Sequence, residues 1–577
     1  MKIEFKKKLP TLTFILVGSL LWSLTMVKSG LIYSFGMGFW GPNGHDGVWH
    51  LALAGSLGRG TLEIPTFAGE TIKNYHLGFD LLLTFLNKVT TLPLSTLYFQ
   101  IIPVILAFSV GFLTYKFVLS WRKSELEAFW STFFIYFGGS LGWIITLLRN
   151  KDLGGESTFW SQQAISTLIN PPFALSLVMI LLGLIFLLHY LKKNKIVFLL
   201  LTSLSFGLLI QIKAYAGILI LGSLFIAGIV SLIKEKDLKI LKVFILSTFI
   251  SLIIFLPFLK SASKTLVFKP FWFLETMMGL SDRVGWEKFA SAMTNYKLGH
   301  VWLKAILAYS IAFAIFLIGN LGTRIVGIFI LIKNLLKREI RLDPFYLILI
   351  FIALGGIVLP MFFLQTGTPW NTIQFFYYTL FVAGILGGLG IAKLSFKSNL
   401  IKYSLGVLII LLTIPTTIGT LRQYLPGRPP AKISKEELEA LNFLSKEPLG
   451  IVLTYPFDPI KAKEAERFPP RPLYLYESTA YVSAFSNKPT FLEDEVNLNI
   501  TGFDWRIRKE DLIKFYDSLE IDASRSFLLK NKISYIYWLK GQRAKLGEGQ
   551  LGLTKIFENS LVDIYKINPS DFAQRVE

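Results

Sequence analysis

Residues 172–195 read PFALSLVMILLGLIFLLHYLKKNK: twenty residues without a charge, then three lysines within four positions. A helix needs about 20 apolar residues to cross the hydrocarbon of a bilayer, and a basic burst at its end marks the cytoplasmic side. Outward from this stretch the pattern recurs, with apolar runs beginning near Leu9, Leu97, Glu127, Pro172, Ile196, Ala214, Ile240, Leu303, Phe345, Ile373 and Tyr403. The expected fold class is an all-α polytopic membrane domain of about 11 transmembrane helices, followed by a C-terminal extracytoplasmic α/β domain. Composition agrees, since the 577 residues are 53% hydrophobic and 17% charged, with a mean hydropathy of +0.54. Soluble multidomain, disordered and fibrous classes are excluded. The net charge of +21 implies no nucleic-acid partner, because most Lys and Arg sit in short bursts between apolar runs. With no cysteine there is no disulfide framework, thiolate metal site or cysteine nucleophile.

Loop charge sets an expected topology. With the amino terminus inside, the loops Arg122-Lys123, Lys192-Lys193-Asn194-Lys195, 234–242, 333–341 and 393–402 are cytoplasmic, and all are basic. The opposite loops, 28–96, 149–171, a tight turn near Gln211, 259–302 and 365–372, mix both signs. The first run follows Lys6, Lys7 and Lys8 and shows no small-residue cleavage site before Lys28, so it reads as a retained signal anchor. The run 196–233 must be a pair of short helices, whereas 303–332 is kept as one span because Lys333 and Arg341 then fall inside. The expected location is a plasma membrane, crossed many times.

An odd number of spans places the remaining chain outside. Two domains are expected: a membrane domain over 1–425, with a long first outer loop 28–96, and an extracytoplasmic α/β domain over 426–577. From Pro426-Gly427-Arg428-Pro429-Pro430 onward the composition is that of a small soluble domain. Ser434 followed by Glu437 has the pattern of a capping box. Gly450-Ile451-Val452-Leu453-Thr454-Tyr455 and Ile533-Ser534-Tyr535-Ile536-Tyr537-Trp538 read as strands, and 554–557 with 561–567 as a closing hairpin. The chain holds no internal repeat, Walker A loop, Gly-x-Ser-x-Gly elbow or His-Glu-x-x-His motif.

Rare residues gather in the first outer loop. Residues 41–50 read Gly-Pro-Asn-Gly-His-Asp-Gly-Val-Trp-His and 74–76 read Asn-Tyr-His, so three of the five histidines fall here. A mostly apolar helix is expected over 48–57. A second, over 77–88, carries Leu81, Phe85 and Val89 on one face and Asp80, Thr84 and Lys88 on another, as suits a helix lying along the membrane surface. A carboxylate at the lipid boundary suits an enzyme whose substrate has a lipid tail and a polar head. Asp46 can then take a proton from an acceptor hydroxyl as its oxygen attacks an activated sugar carbon. The same residue, before Gly47 and a helix, is equally a good N-cap. His45, Asp46, His50 and His76 are also a ligand set for a divalent metal, although no cofactor is required and the spacing matches no tight motif. His50 and His76 otherwise read as polar lining of a substrate pocket.

A departing lipid phosphate needs positive charge, and Lys213 is the sharpest candidate, since Gln211-Ile212-Lys213-Ala214-Tyr215 interrupts two apolar runs. It either faces a cavity or snorkels to the interface. Arg149, Lys269, Arg283 and His300 read as solvated loop charges. Asn170-Pro171-Pro172 is ordinary helix initiation, and Trp49 or Trp370 belongs to an interfacial belt before it stacks on a sugar.

With Gly44-His45-Asp46-Gly47 in a long first outer loop, surface helices after it and an inside amino terminus, the sequence resembles the GT-C class of membrane glycosyltransferases. The resemblance implies a polyprenyl-phosphate-linked sugar as donor, a glycan, lipid or protein as acceptor, inversion at the anomeric centre, and Asp46 as base; His45, His50, His76 and Lys213, read from the residues themselves, are the expected substrate contacts. Asp152 and Glu156, in Lys-Asp-Leu-Gly-Gly-Glu, resemble further acidic residues that several members use for metal or acceptor. Two departures stand out. Thr368-Pro369-Trp370-Asn371 leads to Gln374-Phe375-Phe376 without a cation, and the Trp-Trp-Asp signature of oligosaccharyltransferases is missing. The other reading is a non-catalytic lipid-linked saccharide transporter or membrane assembly scaffold. Its functional polar groups would sit mid-membrane on several helices, whereas here they concentrate at one face.

Overall fold

A computed structural model describes residues 2–259, 266–340, 342–366, 368–394 and 398–568, with side chains from Thr11 onward. Arg341, parts of the expected loops 259–302, 365–372 and 393–402, and the side chains of Lys6, Lys7, Lys8 and Leu9 lie outside the described residues. The chain forms two compact units, one of Met1–Thr25 with Ile102–Tyr424 and one of Met26–Ile101 with Leu425–Glu577.

The protein is a multi-pass membrane protein. Among the described residues eight helices are long and apolar enough to cross a bilayer, from Leu94–Arg122 and Pro171–Lys193 to Asn399–Tyr424. The pair Glu125–Phe137 and Gly142–Asn150, bent by 44°, makes up to nine. This is fewer than the expected eleven, although a helix starts near every expected position. Of the first helix, Lys2–Ser23, only Thr11–Ser23 has described side chains, and the 17 residues of Ile196–Ile212 reach only about 25 Å against a hydrocarbon core of about 30 Å. As expected, 196–233 is a pair of helices, parted where Lys213 takes an extended conformation (φ −157°). The run 303–332 is not one helix. Trp302–Leu321 ends at Gly322, whose φ of +55° and 2.1 Å approach of a would-be Cβ to the Gly139 carbonyl admit only glycine, and Arg324–Leu336 starts afresh.

Helix starts are set by local chemistry. Asn170 caps Pro171–Lys193 by accepting from Phe173 N, and Asp343 caps Pro344–Phe362 by accepting from Phe345 and Tyr346 N, each with Pro in the first turn. Where Arg324–Leu336 crosses Gln374–Ala392, a Cβ on Gly327 would stand 1.9 Å from the Gly387 carbonyl. Small residues there let the two backbones touch, the packing that lipid-embedded helices favour.

The second unit holds two four-stranded sheets. In one, Leu31–Tyr33 pairs antiparallel with Gly36–Phe39, which pairs antiparallel with Ala431–Ile433, which runs parallel to Arg471–Pro472. The segment 28–96 thus shares a sheet with the C-terminal segment. In the other, the strand order is Ile451–Leu453, Ile533–Leu539, Val562–Lys566 and Thr554–Glu558, including the expected hairpin. The capping box is present at Lys435–Lys446, with Ser434 accepting from Glu437 N while the Glu437 carboxylate accepts from Ser434 N.

Candidate functional site

Asp46 is the first residue of the helix Asp46–Gly58, and His45, one residue earlier, occupies the N-cap position without a side-chain capping bond. Asp46 is therefore not the N-cap, because the chain turns helical one residue sooner than the sequence pattern suggests. Its carboxylate is exposed and makes no hydrogen bond or ion pair with the described residues. Negative charge in a first helical turn is favoured by the exposed N–H groups there. Gly47 follows because a Cβ at that position would stand 2.7 Å from the Phe99 ring, in the opening turn of the span Leu94–Arg122. Asp46 is thereby held beside the head of a membrane-crossing helix.

Behind Asp46, one turn on, the buried His50 Nδ1–H donates to Asp80 Oδ1 at 2.7 Å, and its ring stacks on Tyr98 at 5.7 Å. Burial pushes the Asp80 carboxyl up, opposed by His50. Asp80 belongs to the helix Gly78–Thr90, where Thr84 Oγ1 donates to the Ala54 carbonyl at 3.0 Å. Of the two faces marked by periodicity, the one with Asp80 and Thr84 is packed inward, and Leu81, Phe85 and Val89 point out. Trp49 Nε1 donates to the Tyr75 hydroxyl at 3.0 Å, and His76 stacks on Tyr75 at 4.7 Å. Burial holds the Tyr75 hydroxyl well above the usual phenol range, with Asp80, Asp46 and Asp494 adding to it.

His45 meets the Ser478 hydroxyl through Nδ1, and its ring stands edge-on to Tyr476, over which the Arg471 guanidinium lies at 3.6 Å. Burial pushes the His45 imidazole down, Asp46 pulls it up and Arg471 lowers it further. Across from Asp46, Asp494 caps Glu495–Thr501, accepting from Asn497 N at 3.1 Å and Asn497 Nδ2 at 2.8 Å. Burial pushes its carboxyl up to about 7, with the charges of Asp46 and Glu495 adding to the effect. The four loop residues do not converge as metal ligands. His50 is committed to Asp80, His45 to Ser478 and His76 to the face of Tyr75, and among the described residues no three His, Asp or Glu side chains cluster as a metal would need.

The remaining expected contacts lie in the other unit. Asp152 is exposed, and its Oδ1 accepts from Leu153 N at 2.8 Å. Glu156 is buried and accepts from Gln163 N at 2.6 Å and Ser166 Oγ at 2.8 Å, and burial pushes it up to about 7. Gln163 Oε1 accepts in turn from the buried Arg324 at 2.6 Å. Lys213 is 5% exposed, donates to Asn170 Oδ1 at 3.4 Å and lies over Tyr215 at 5.6 Å, so it does not snorkel. Arg149 is exposed and donates to the Ser281 and Val284 carbonyls, whereas Arg283 is part-buried and stacks on Trp160, which stacks on Trp370.

No protein-family model and no curated protein matches the sequence. Solved structures match in fold. The arabinofuranosyltransferase AftD from Mycobacteria superposes over 97% of this chain at a TM-score of 0.50 and 12% identity. The chain has the GT-C fold. It spans 40% of the AftD chain. Archaeoglobus fulgidus AglB, an oligosaccharyltransferase solved with an inhibitory peptide and a dolichol-phosphate, covers 92% of this GT-C chain and is covered to 69%, at 0.47 and 13% identity. ArnT from Cupriavidus metallidurans, in the apo state, gives 97% and 98% coverage at 0.32 and 10% identity.

Tyr75, Asp80, Arg471, Ser478 and Asp494 surround the expected motif, and the sequence alone assigns none of them to the site. Tyr75 lies in Asn-Tyr-His and Asp80 on a marked helix face, and Asp494 carries a local signal in Glu493-Asp494-Glu495, three consecutive acids directly after Phe491-Leu492.

Proposed function

We propose that this GT-C chain moves a sugar from a polyprenyl-phosphate donor to an acceptor hydroxyl at the non-cytoplasmic membrane face, with Asp46 as general base. The observation that carries this reading is the exposed Asp46 carboxylate, without a hydrogen bond or ion pair to the described residues, next to Gly47, which packs on Phe99 at the head of a span. A general base must reach the proton it removes. Asp80, Glu493, Asp494 and Glu495 are all buried and already accept bonds from the protein, whereas Asp46 is open. The mycobacterial arabinofuranosyltransferase with this fold supports glycosyl transfer as the reaction class.

In the step, the acceptor oxygen attacks the anomeric carbon while its proton passes to Asp46. The bond from that carbon to the phosphate oxygen breaks, and polyprenyl phosphate leaves with the electron pair. The anomeric centre inverts, and no sugar–enzyme bond forms. Asp46 then returns its proton to water. His45 and His76 line the approach, and His50 holds the helix. Lys213, a buried ammonium at a break between apolar helices, is the cation assigned to the departing phosphate. Asp152, exposed in its loop, suits contact with the acceptor, while Glu156 fixes that loop through Gln163 and Ser166.

Purified protein given a panel of polyprenyl-phosphate sugars, with products read by mass spectrometry, tests the reading. Asp46→Asn should lower transfer by about 10²-fold or more, with membrane insertion and thermal unfolding unchanged. Full transfer by that variant excludes the base role, and no product from any donor excludes the reaction.

A further inference from the structure

Far along the chain, the C-terminal segment has a concave site that the proposed reaction does not use. One face of the sheet strand Ile533–Leu539, the end of the helix Arg506–Asp517 and the loop 540–547 bound a cavity of about 700 Å³ that opens to solvent. Small-molecule sites run to roughly 300–1,000 Å³, and this one lies within that range. Its wall is aromatic, with Phe515, Tyr516, Trp538 and Tyr565. Trp538 is part-exposed, and its ring stands 5.8 Å from that of Tyr516. The Tyr516 hydroxyl is buried without a hydrogen-bond partner among the described residues, as is uncommon for a buried polar group.

The rim decides what fits. Asp517 and Glu548 accept hydrogen bonds, Arg543 and Lys545 donate them, and Gln542 does both. A phosphate would want cations without carboxylates. A peptide strand would want a long free sheet edge, yet Val562–Lys566 is paired on both sides, and Ile533–Leu539 is paired with it on one side and with Ile451–Leu453 as far as Ile536 on the other. A chain of sugar rings has apolar C–H faces to lay on aromatic rings and hydroxyls that both donate and accept, and it meets both halves of this lining.

We infer that this cavity is an oligosaccharide-binding site, separate from Asp46, that holds a segment of glycan against Trp538. The test uses the full chain in lipid nanodiscs, free of sugar-headed detergent. Lipid-free tetra- to hexasaccharides of mannose, arabinose, glucose and N-acetylglucosamine are probed by saturation-transfer NMR and calorimetry. At least one should bind, and Trp538→Ala should weaken it by about tenfold or more. Gln542→Ala with Arg543→Ala, both on the rim, should weaken it in a protein that melts like the wild type, which covers the case in which Trp538→Ala fails to fold. Asp46→Asn should bind as the wild type does, which separates this site from the transfer reaction. Binding by none of the saccharides, binding unaffected by the rim variants, or displacement of the saccharide by inorganic phosphate would overturn the inference.

Discussion

His50 and Asp80 meet at 2.7 Å with both side chains buried, so the helix that presents Asp46 is pinned, one turn behind it, to the helix Gly78–Thr90. Asp80→Ala leaves the His50 Nδ1–H buried without an acceptor, a loss of about 1–3 kcal/mol. Asp80→Asn, which keeps an oxygen at that place, should lose less. Thermal unfolding of the two variants in nanodiscs checks the order, and transfer activity should fall in the same order because Asp46 loses its footing.

The helix Gly78–Thr90 shows Leu81, Phe85 and Val89 at 52%, 61% and 65% exposure while Asp80 and Thr84 are packed inside. An outward apolar stripe at four-residue spacing belongs in the headgroup boundary of a bilayer. The chain has no cysteine, so one introduced at Phe85 is the sole labelling site. A fluorophore on Phe85→Cys should be quenched strongly by lipids spin-labelled near the headgroup, and one on Asn74→Cys weakly. Equal quenching would place the stripe in water.

Much of this arrangement is legible in the residues, and the limit is physical. Runs of twenty apolar residues ended by lysines give the spans, and Ser434 with Glu437 gives a helix start, because each signal is local. The pairing of Gly36–Phe39 with Ala431–Ile433 has no such signal, since strands of four and three residues are too short to show alternation and their partners are far apart in the chain. Periodicity marked two faces on 77–88 without saying which points inward, and the partner that decides it, His50, lies thirty residues away. Arg324 vanished inside the apolar run 303–332, where Gly322 beside it was the only hint that the helix ends.

Arg324 is itself a test of the helical unit. Fully buried, it donates to the carbonyls of Leu321, Asn320, Gly139 and Leu380 and to Gln163 Oε1, all neutral acceptors. Arg324→Ala strips partners from several buried acceptors at once and leaves a void, which should cost about 3 kcal/mol or more. Arg324→Lys keeps the charge but offers three donors from a single nitrogen in place of a planar fork, so its loss should be intermediate. Yield of monodisperse protein and its unfolding temperature give the ranking. A wild-type melt for Arg324→Ala would show that the network contributes nothing.

Glu437 predicts a pH dependence with a definite sign. Burial pushes its carboxyl up to about 7 from an ordinary 4.5, with its bonds to Ser434 opposing the shift. Between those two values the unfolded chain gives up the proton while the folded one keeps it. The folded state therefore binds more protons, and stability falls as pH rises through the window, by at most about 1.4 kcal/mol per pH unit for this group. Below pH 4.5 the group has no effect, and above about 7 the full penalty is in place. Glu437→Gln keeps an oxygen to accept from Ser434 N and Oγ and puts an amide where Oε1 has no hydrogen-bond partner among the described residues. The variant should gain stability relative to the wild type as pH climbs from 4.5 to 7, and match it more closely at the acid end. Glu156, Glu493 and Asp494, each pushed up to about 7 by burial, keep part of the slope in place. Unfolding temperatures of both proteins at half-unit steps read the difference, and parallel curves would mean that Glu437 stays charged in the fold.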